Sequence, residues 1–111
     1  TAETKSLFDL QAFKTMKKNV LLINTARGGL INDEALLHAL ENKLIAGAAL
    51  DVLDREPPAA DHLLLTSGLP NLIVTPHIAW AAKEARQRSL DEIAKNIACY
   101  LKDKPRNVVT G

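Results

Sequence analysis

The chain has 111 residues, 47 % of them hydrophobic, and a formal net charge of +1, which allows one small domain, or part of a larger one, with a core of its own. Lysine and arginine nearly balance aspartate and glutamate, so no electrostatic footprint points to nucleic acid or an anionic membrane surface. No apolar run approaches the roughly 20 residues of a membrane span, and the polar start "TAETKSLFD" carries no signal-peptide pattern.

Leu7, Leu10, Phe13 and Met16, spaced by three, predict a helix over 7–18, with Asp9 as its cap and lysines at its negative pole. "NVLLIN" (19–24) follows as a strand apolar on both faces, the pattern of a parallel sheet covered by helices on both sides. "NDEALLHALENK" (32–43) predicts a helix: Asn32 caps it, Asp33 and Glu34 load its first turn, and Ala35, Leu36, Ala39 and Leu40 form its stripe. "LIAGAALDV" (44–52) is a second apolar strand whose small residues leave room for close approach. A Pro- and Asp-rich loop runs from 53 to 71, with one helical turn at "HLLL". "LIVTPH" (72–77) is a third strand, stopped by Pro76. Ala85, Leu90, Ile93, Ile97 and Leu101 predict a long helix over 81–102. Cys99, the one cysteine, falls in that helix as a small apolar side chain; no internal disulfide is available, and a cytoplasmic, reducing compartment fits. The chain starts without Met and ends at "NVVTG", and reads as a piece of a longer protein.

Helix, strand, helix, strand, loop, strand, helix is the order of an α/β protein with a parallel sheet and helical crossovers. Ligands of open α/β sheets bind beyond the carboxyl ends of the strands. Asn24, Thr25, Ala26 and Arg27 follow the first strand; Asp51, Asp54, Arg55 and Glu56 the second; Pro76 and His77 the third. Singly, each has an ordinary reading: Arg27 as a surface arginine, Glu56 as solvated, His77 as a boundary histidine, Asp51 as a turn cap. His38 and His62 keep such readings, one on a helix and the other on a loop. Together, a histidine oriented by a carboxylate makes a general acid or base near neutral pH. A neighbouring arginine offers a planar fork for a substrate carboxylate. Such a set suits a small 2-oxo acid whose carbonyl oxygen is protonated while a hydride arrives from elsewhere.

"VLLINTARGGLINDEALLHAL", "IAGAALDVLDREPP" and "NLIVTPHIAW" resemble the D-isomer-specific 2-hydroxyacid dehydrogenase family, in three blocks with that family's order and spacing. The resemblance implies the C-terminal half of a Rossmann-type parallel sheet, about three strands with flanking helices, plus a long C-terminal helix. It places residues 1–80 in an NAD(P)-binding domain and 81–111 in a helix and tail returning toward a substrate domain. It implies Arg27, Glu56 and His77 as catalytic, with Arg27 binding the substrate carboxylate and Glu56 pairing with His77, the acid/base. Thr25, Ala26, Arg27, Asp51 and His77 would contact the NAD or NADP cofactor, Asp51 through the nicotinamide carboxamide. "PHIAWAAKEARQR" is similar to the glycerate dehydrogenase (hydroxypyruvate reductase) branch, and Trp80 would wall the substrate pocket or a dimer contact. Hydroxypyruvate/D-glycerate is the implied substrate pair. A non-catalytic relative, using the fold as a dinucleotide sensor or corepressor-like module, is the alternative.

No G-x-G-x-x-G turn is present, nor the acidic residue expected about 20 positions beyond it. The chain alone is therefore expected to be inactive. Gly28 and Gly29 are read as letting the chain turn off the strand and point Arg27 into the cleft. Strand "VLLIN" should have an unfilled edge, through which the chain pairs with itself or forms a homodimer.

Overall fold

Two side-chain caps start the first helices of the chain. The structure is a computed structural model that describes residues 2–109. Asp9 accepts a hydrogen bond from the Ala12 N–H at 2.8 Å and opens α1 (Leu10–Thr15). Asn32 accepts from the Ala35 N–H at 2.8 Å and opens α2 (Asp33–Glu41). A capping residue is itself extended, so Leu7 cannot share the helix that Asp9 begins, and it is exposed. The residues before Asp9 instead run beside the turn at Ile31, with Phe8 and Ile31 in a parallel bridge. α1 is therefore shorter than its apolar spacing predicts. Met16 turns to extended backbone and leaves Lys17 and Lys18 outside.

The three apolar runs form β1 (Leu21–Asn24), β2 (Gly47–Leu50) and β3 (Leu72–Val74), each shorter than its run. They make one parallel sheet in the order β1-β2-β3. Leu22, Ala48, Leu50, Leu72 and Val74 pack with Phe13, Leu36, Leu40 and Ile45, which are fully buried. The alternate residues do not: Leu21 is 68 % and Ile23 70 % exposed. The expectation of helical cover on both faces is thus met on one face only. The apolar runs carry no period-2 signal that distinguishes a covered face from one left open.

The loop before β3 holds a short helix, α3 (Leu63–Thr66), where a helical turn was expected. His62 opens it, accepting from the Leu64 N–H at 3.3 Å through Nδ1, while its Nε2 lies 3.2 Å from Asp33 at the start of α2. Burial pushes the Asp33 carboxyl up from its ordinary value, and His62 pulls it back. His62 is a joint between two helices.

The chain divides into two compact units between Ile78 and Ala79. The second contains α4 (Lys83–Tyr100), within the helix predicted over 81–102. Arg106 reaches Glu92 at 2.8 Å and Lys95 reaches it at 3.0 Å. None of α4 is buried, and Leu90, Ile93 and Ile97 leave its apolar stripe exposed. Among the described residues, no helix is long and apolar enough to cross a membrane.

Gly28 has a different reason from the one its turn suggests. It opens a short 3-10 turn (Gly28–Leu30) without a left-handed backbone. A Cβ there would lie 1.9 Å from the carbonyl carbon of Leu53 and 2.2 Å from the Asp54 nitrogen. Absence of a side chain, not freedom of φ, is what the position requires. Gly28→Ala is expected to destabilise the chain by about 2–3 kcal/mol or more, since backbone must move to admit it. Denaturant unfolding checks this, and a loss under about 0.5 kcal/mol, the range of ordinary surface changes, would contradict the contact.

Candidate active site at the strand ends

Each strand of the sheet ends beside a polar side chain or backbone group that bends the chain after it. At the end of β1, Asn24 is 7 % exposed. Its Oδ1 accepts from the Ala26 N–H at 3.0 Å, and its Nδ2 donates to the Arg27 carbonyl at 2.9 Å. The loop of Thr25, Ala26 and Arg27 is thereby closed against the strand, with all three residues exposed. Arg27 Nη1 donates to the Ala26 carbonyl at 2.7 Å. The Asn24 carbonyl in turn accepts from the Asp51 N–H at 2.9 Å, which joins the ends of β1 and β2.

Beyond β2, Glu56 is held at both oxygens. Oε1 accepts from the Leu53 N–H at 2.9 Å, and Oε2 accepts from His77 Nδ1–H at 2.6 Å. The His77 hydrogen bond, then that of Leu53, and the charges of His77 and Arg27 hold the Glu56 carboxyl below its ordinary range. The pair remains wet, with side chains 44 % (His77) and 36 % (Glu56) exposed. Beyond β3, His77 adopts a left-handed backbone with φ 54°.

Arg27, Glu56 and His77 line one crevice of about 210 Å³, together with Gly28 and the Val52–Asp54 stretch. The strand ends thus bring together a guanidinium, a carboxylate and an imidazole, as their sequence positions predict. Glu56 and His77 also line a second, apolar pocket of about 370 Å³, walled by Leu53, Pro57, Leu65, Val74 and Pro76. Asp51 is also at this rim but is 4 % exposed and already hydrogen-bonded within the protein. Trp80 belongs to the second unit and is exposed. With Nδ1 donating to a carboxylate, Nε2 is the ring nitrogen through which His77 can exchange a proton with a ligand. Asn24 and Thr75 complete the rim. The sequence places Asn24 there without a role and gives no reason to single out Thr75; a polar residue closing an apolar run is the one signal that marks Asn24.

Residues 1–79 match the family model described as D-isomer specific 2-hydroxyacid dehydrogenase, NAD binding domain. The chain belongs to this family. It is 48 % identical over 109 residues to a glycerate dehydrogenase of Methylorubrum extorquens, covering 98 % of this chain and 35 % of the relative. It is 41 % identical over 107 residues to a hydroxypyruvate reductase of Blautia hydrogenotrophica, covering 96 % and 33 %. Among solved structures, an acyclic imino acid reductase (Bsp5) in complex with NADPH and D-Arg superposes with a TM-score of 0.85 at 37 % identity, covering 99 % of this chain and 34 % of that one. The three-stranded sheet, its helices and the long helix α4 are those of this Rossmann-type fold. The chain spans about a third of the length of the curated relatives it matches.

His77→Ala is expected to move the Glu56 carboxyl back up toward the ordinary glutamate range, because the hydrogen bond that chiefly lowers it is gone. In the unaltered chain the lowered value means that the pair's contribution is fully present above the ordinary glutamate range. It is lost as pH falls through the Glu56 value. Carbon-detected NMR titration of Glu56 in both chains checks this; coincident titration curves would contradict the pairing.

Proposed function

We propose that the protein to which this chain belongs reduces a small 2-oxo acid at the expense of NADH or NADPH, with hydroxypyruvate and D-glycerate as the substrate pair. The observation that carries this reading is the 2.6 Å contact of His77 with Glu56 in a crevice shared with Arg27. The names of the relatives, a glycerate dehydrogenase and a hydroxypyruvate reductase, support the choice of substrate.

In this reading Arg27 holds the substrate carboxylate with its fork of donors. His77 gives its Nε2 proton to the carbonyl oxygen as that oxygen gains charge, and Glu56 keeps the ring oriented through Nδ1. Thr25, Ala26, Arg27, Asp51 and His77 form the side of the rim assigned to the nicotinamide, and Trp80 is assigned to the substrate pocket or to a dimer contact of the full-length protein. The residues present suit that end of a dinucleotide: polar groups, two of them braced by buried side chains, stand at the carboxyl ends of parallel strands. When bound, the nicotinamide supplies the hydride. A glycine-rich phosphate turn does not occur in these 111 residues. Residues 1–80 are accordingly assigned to the C-terminal half of the NAD(P)-binding domain, and 81–111 to the helix and tail leading toward the substrate domain.

The open edge of β1 completes the proposal. Among the described residues β1 pairs with β2 alone, which leaves its other edge without a strand, and Leu21 and Ile23 stand exposed on the uncovered face beside that edge. In the isolated chain this edge is assigned to pairing with a second copy.

For the full-length protein, hydroxypyruvate-dependent oxidation of NADH or NADPH is expected. His77→Ala should lower kcat by about 10²- to 10⁴-fold. Arg27→Gln should raise KM for the oxo acid by roughly 10- to 100-fold, the worth of a charge-assisted contact. Consumption of neither nucleotide with hydroxypyruvate or related 2-oxo acids would refute the reading. The 111-residue chain by itself should oxidise neither. Sedimentation of that chain should show dimers that Ile23→Lys dissociates; a monodisperse monomer would refute the edge assignment.

A further inference from the structure

A histidine at φ 54° occupies a sparsely populated region of backbone space and stays there only when its surroundings hold it. Three hydrogen bonds surround the turn that carries His77. The His77 N–H donates to the Thr75 carbonyl at 3.0 Å. The Thr75 hydroxyl donates to Asp51 Oδ1 at 2.6 Å, and the Ile78 N–H donates to that same oxygen at 2.9 Å. Pro76 has no N–H to contribute. One oxygen of a buried carboxylate therefore receives a donor from the residue before Pro76-His77 and another from the residue after it. Thr75 is the hinge of this arrangement: its own N–H donates to the Leu50 carbonyl at 2.9 Å and continues the β2–β3 ladder.

We infer that Thr75 is a positioning residue for His77, fixing the imidazole against Glu56 by anchoring one arm of its turn to the Asp51 carboxylate, which holds the other arm through the Ile78 N–H. The geometry stands by itself; its consequence for turnover rests on the reductase reading above. Asp51 in this inference does more than face a cofactor. It is the fixed post to which the third strand end is tied, and the post is itself tied to β1 through its N–H and the Asn24 carbonyl. Loss of the Thr75 hydroxyl removes a donor from a buried carboxylate and frees one arm of the turn. The histidine backbone then relaxes, and Nδ1 moves off Glu56. The Leu53 N–H and Arg27, which also act on Glu56, are left in place.

The experiment compares Thr75→Val, which keeps the shape of the side chain and loses the hydroxyl, with Thr75→Ser, which keeps the hydroxyl. In the 111-residue chain, the Glu56 carboxyl is titrated by NMR. Thr75→Val should raise its midpoint toward the ordinary glutamate range, and Thr75→Ser should leave it where it is. In the full-length protein, Thr75→Val should lower kcat by roughly 10- to 100-fold, the scale of a misplaced catalytic group. KM for the oxo acid should change little, and Thr75→Ser should recover most of the rate. An unmoved Glu56 midpoint in a Thr75→Val chain that keeps its circular dichroism overturns the inference, whatever the activity. A raised midpoint in a full-length protein without reductase activity supports the positioning role and sinks only the reductase reading. Should Thr75→Val fail to fold, exchange of the Ile78 amide proton in the unaltered chain decides. Protection supports the anchor, and exchange at the rate of an unstructured peptide overturns it.

Discussion

Two stretches of backbone touch at the centre of this site, and the rest depends on their being able to do so. The turn at Gly28 lies so close to Leu53 and Asp54 that a single added carbon has no room. Arg27 immediately precedes that contact, and Glu56 follows shortly after it. The chain thus brings a positive and a negative group together by the approach of the main chains that carry them. Long side chains reaching across a gap would lose conformational entropy on being held there; short tethers to a rigid contact lose less.

The same economy governs the strand ends. Asn24 and Asp51 are buried polar groups in a small apolar core, and such groups are costly unless hydrogen-bonded. Among the described residues, no buried side-chain nitrogen or oxygen lacks a partner. Both side chains turn that requirement into architecture, Asn24 by folding the Arg27 loop back on β1 and Asp51 by gathering the turn beyond β3. The rim is stiff beneath and wet above. Its buried layer fixes geometry, and its exposed layer holds the groups that can meet a ligand.

Much of this was readable from the residues, for identifiable reasons. The caps at Asp9 and Asn32 are local events, and local chemistry decided them. The three apolar runs named the strands, and their alternation with helices named a parallel sheet. Their lengths were not legible, since an apolar residue beyond the last ladder bond looks the same as one within it. Nor was the open face of β1, which depends on what lies across the sheet. Arg27, Glu56 and His77 stood out by following strand ends, and the family resemblance supplied their pairing. Thr75 did not stand out: its role exists only once Asp51, distant in the chain, has come beside it. Gly28 was noticed for the wrong property, because a sequence shows that a side chain is missing and not which neighbour requires the gap.

No strand in the sheet meets a near neighbour in the chain. Leu21 lies against Gly47, and Ala48 against Leu72, so an intervening segment with its helix must double back before either ladder can close. Contacts of this kind form slowly and late, after helices built from adjacent residues. The imidazole and its carboxylate lie 21 residues apart with α3 and β3 between them, so their partnership needs the β2–β3 ladder in place. A partly assembled chain consequently carries the histidine, the glutamate and the arginine without the crevice they share.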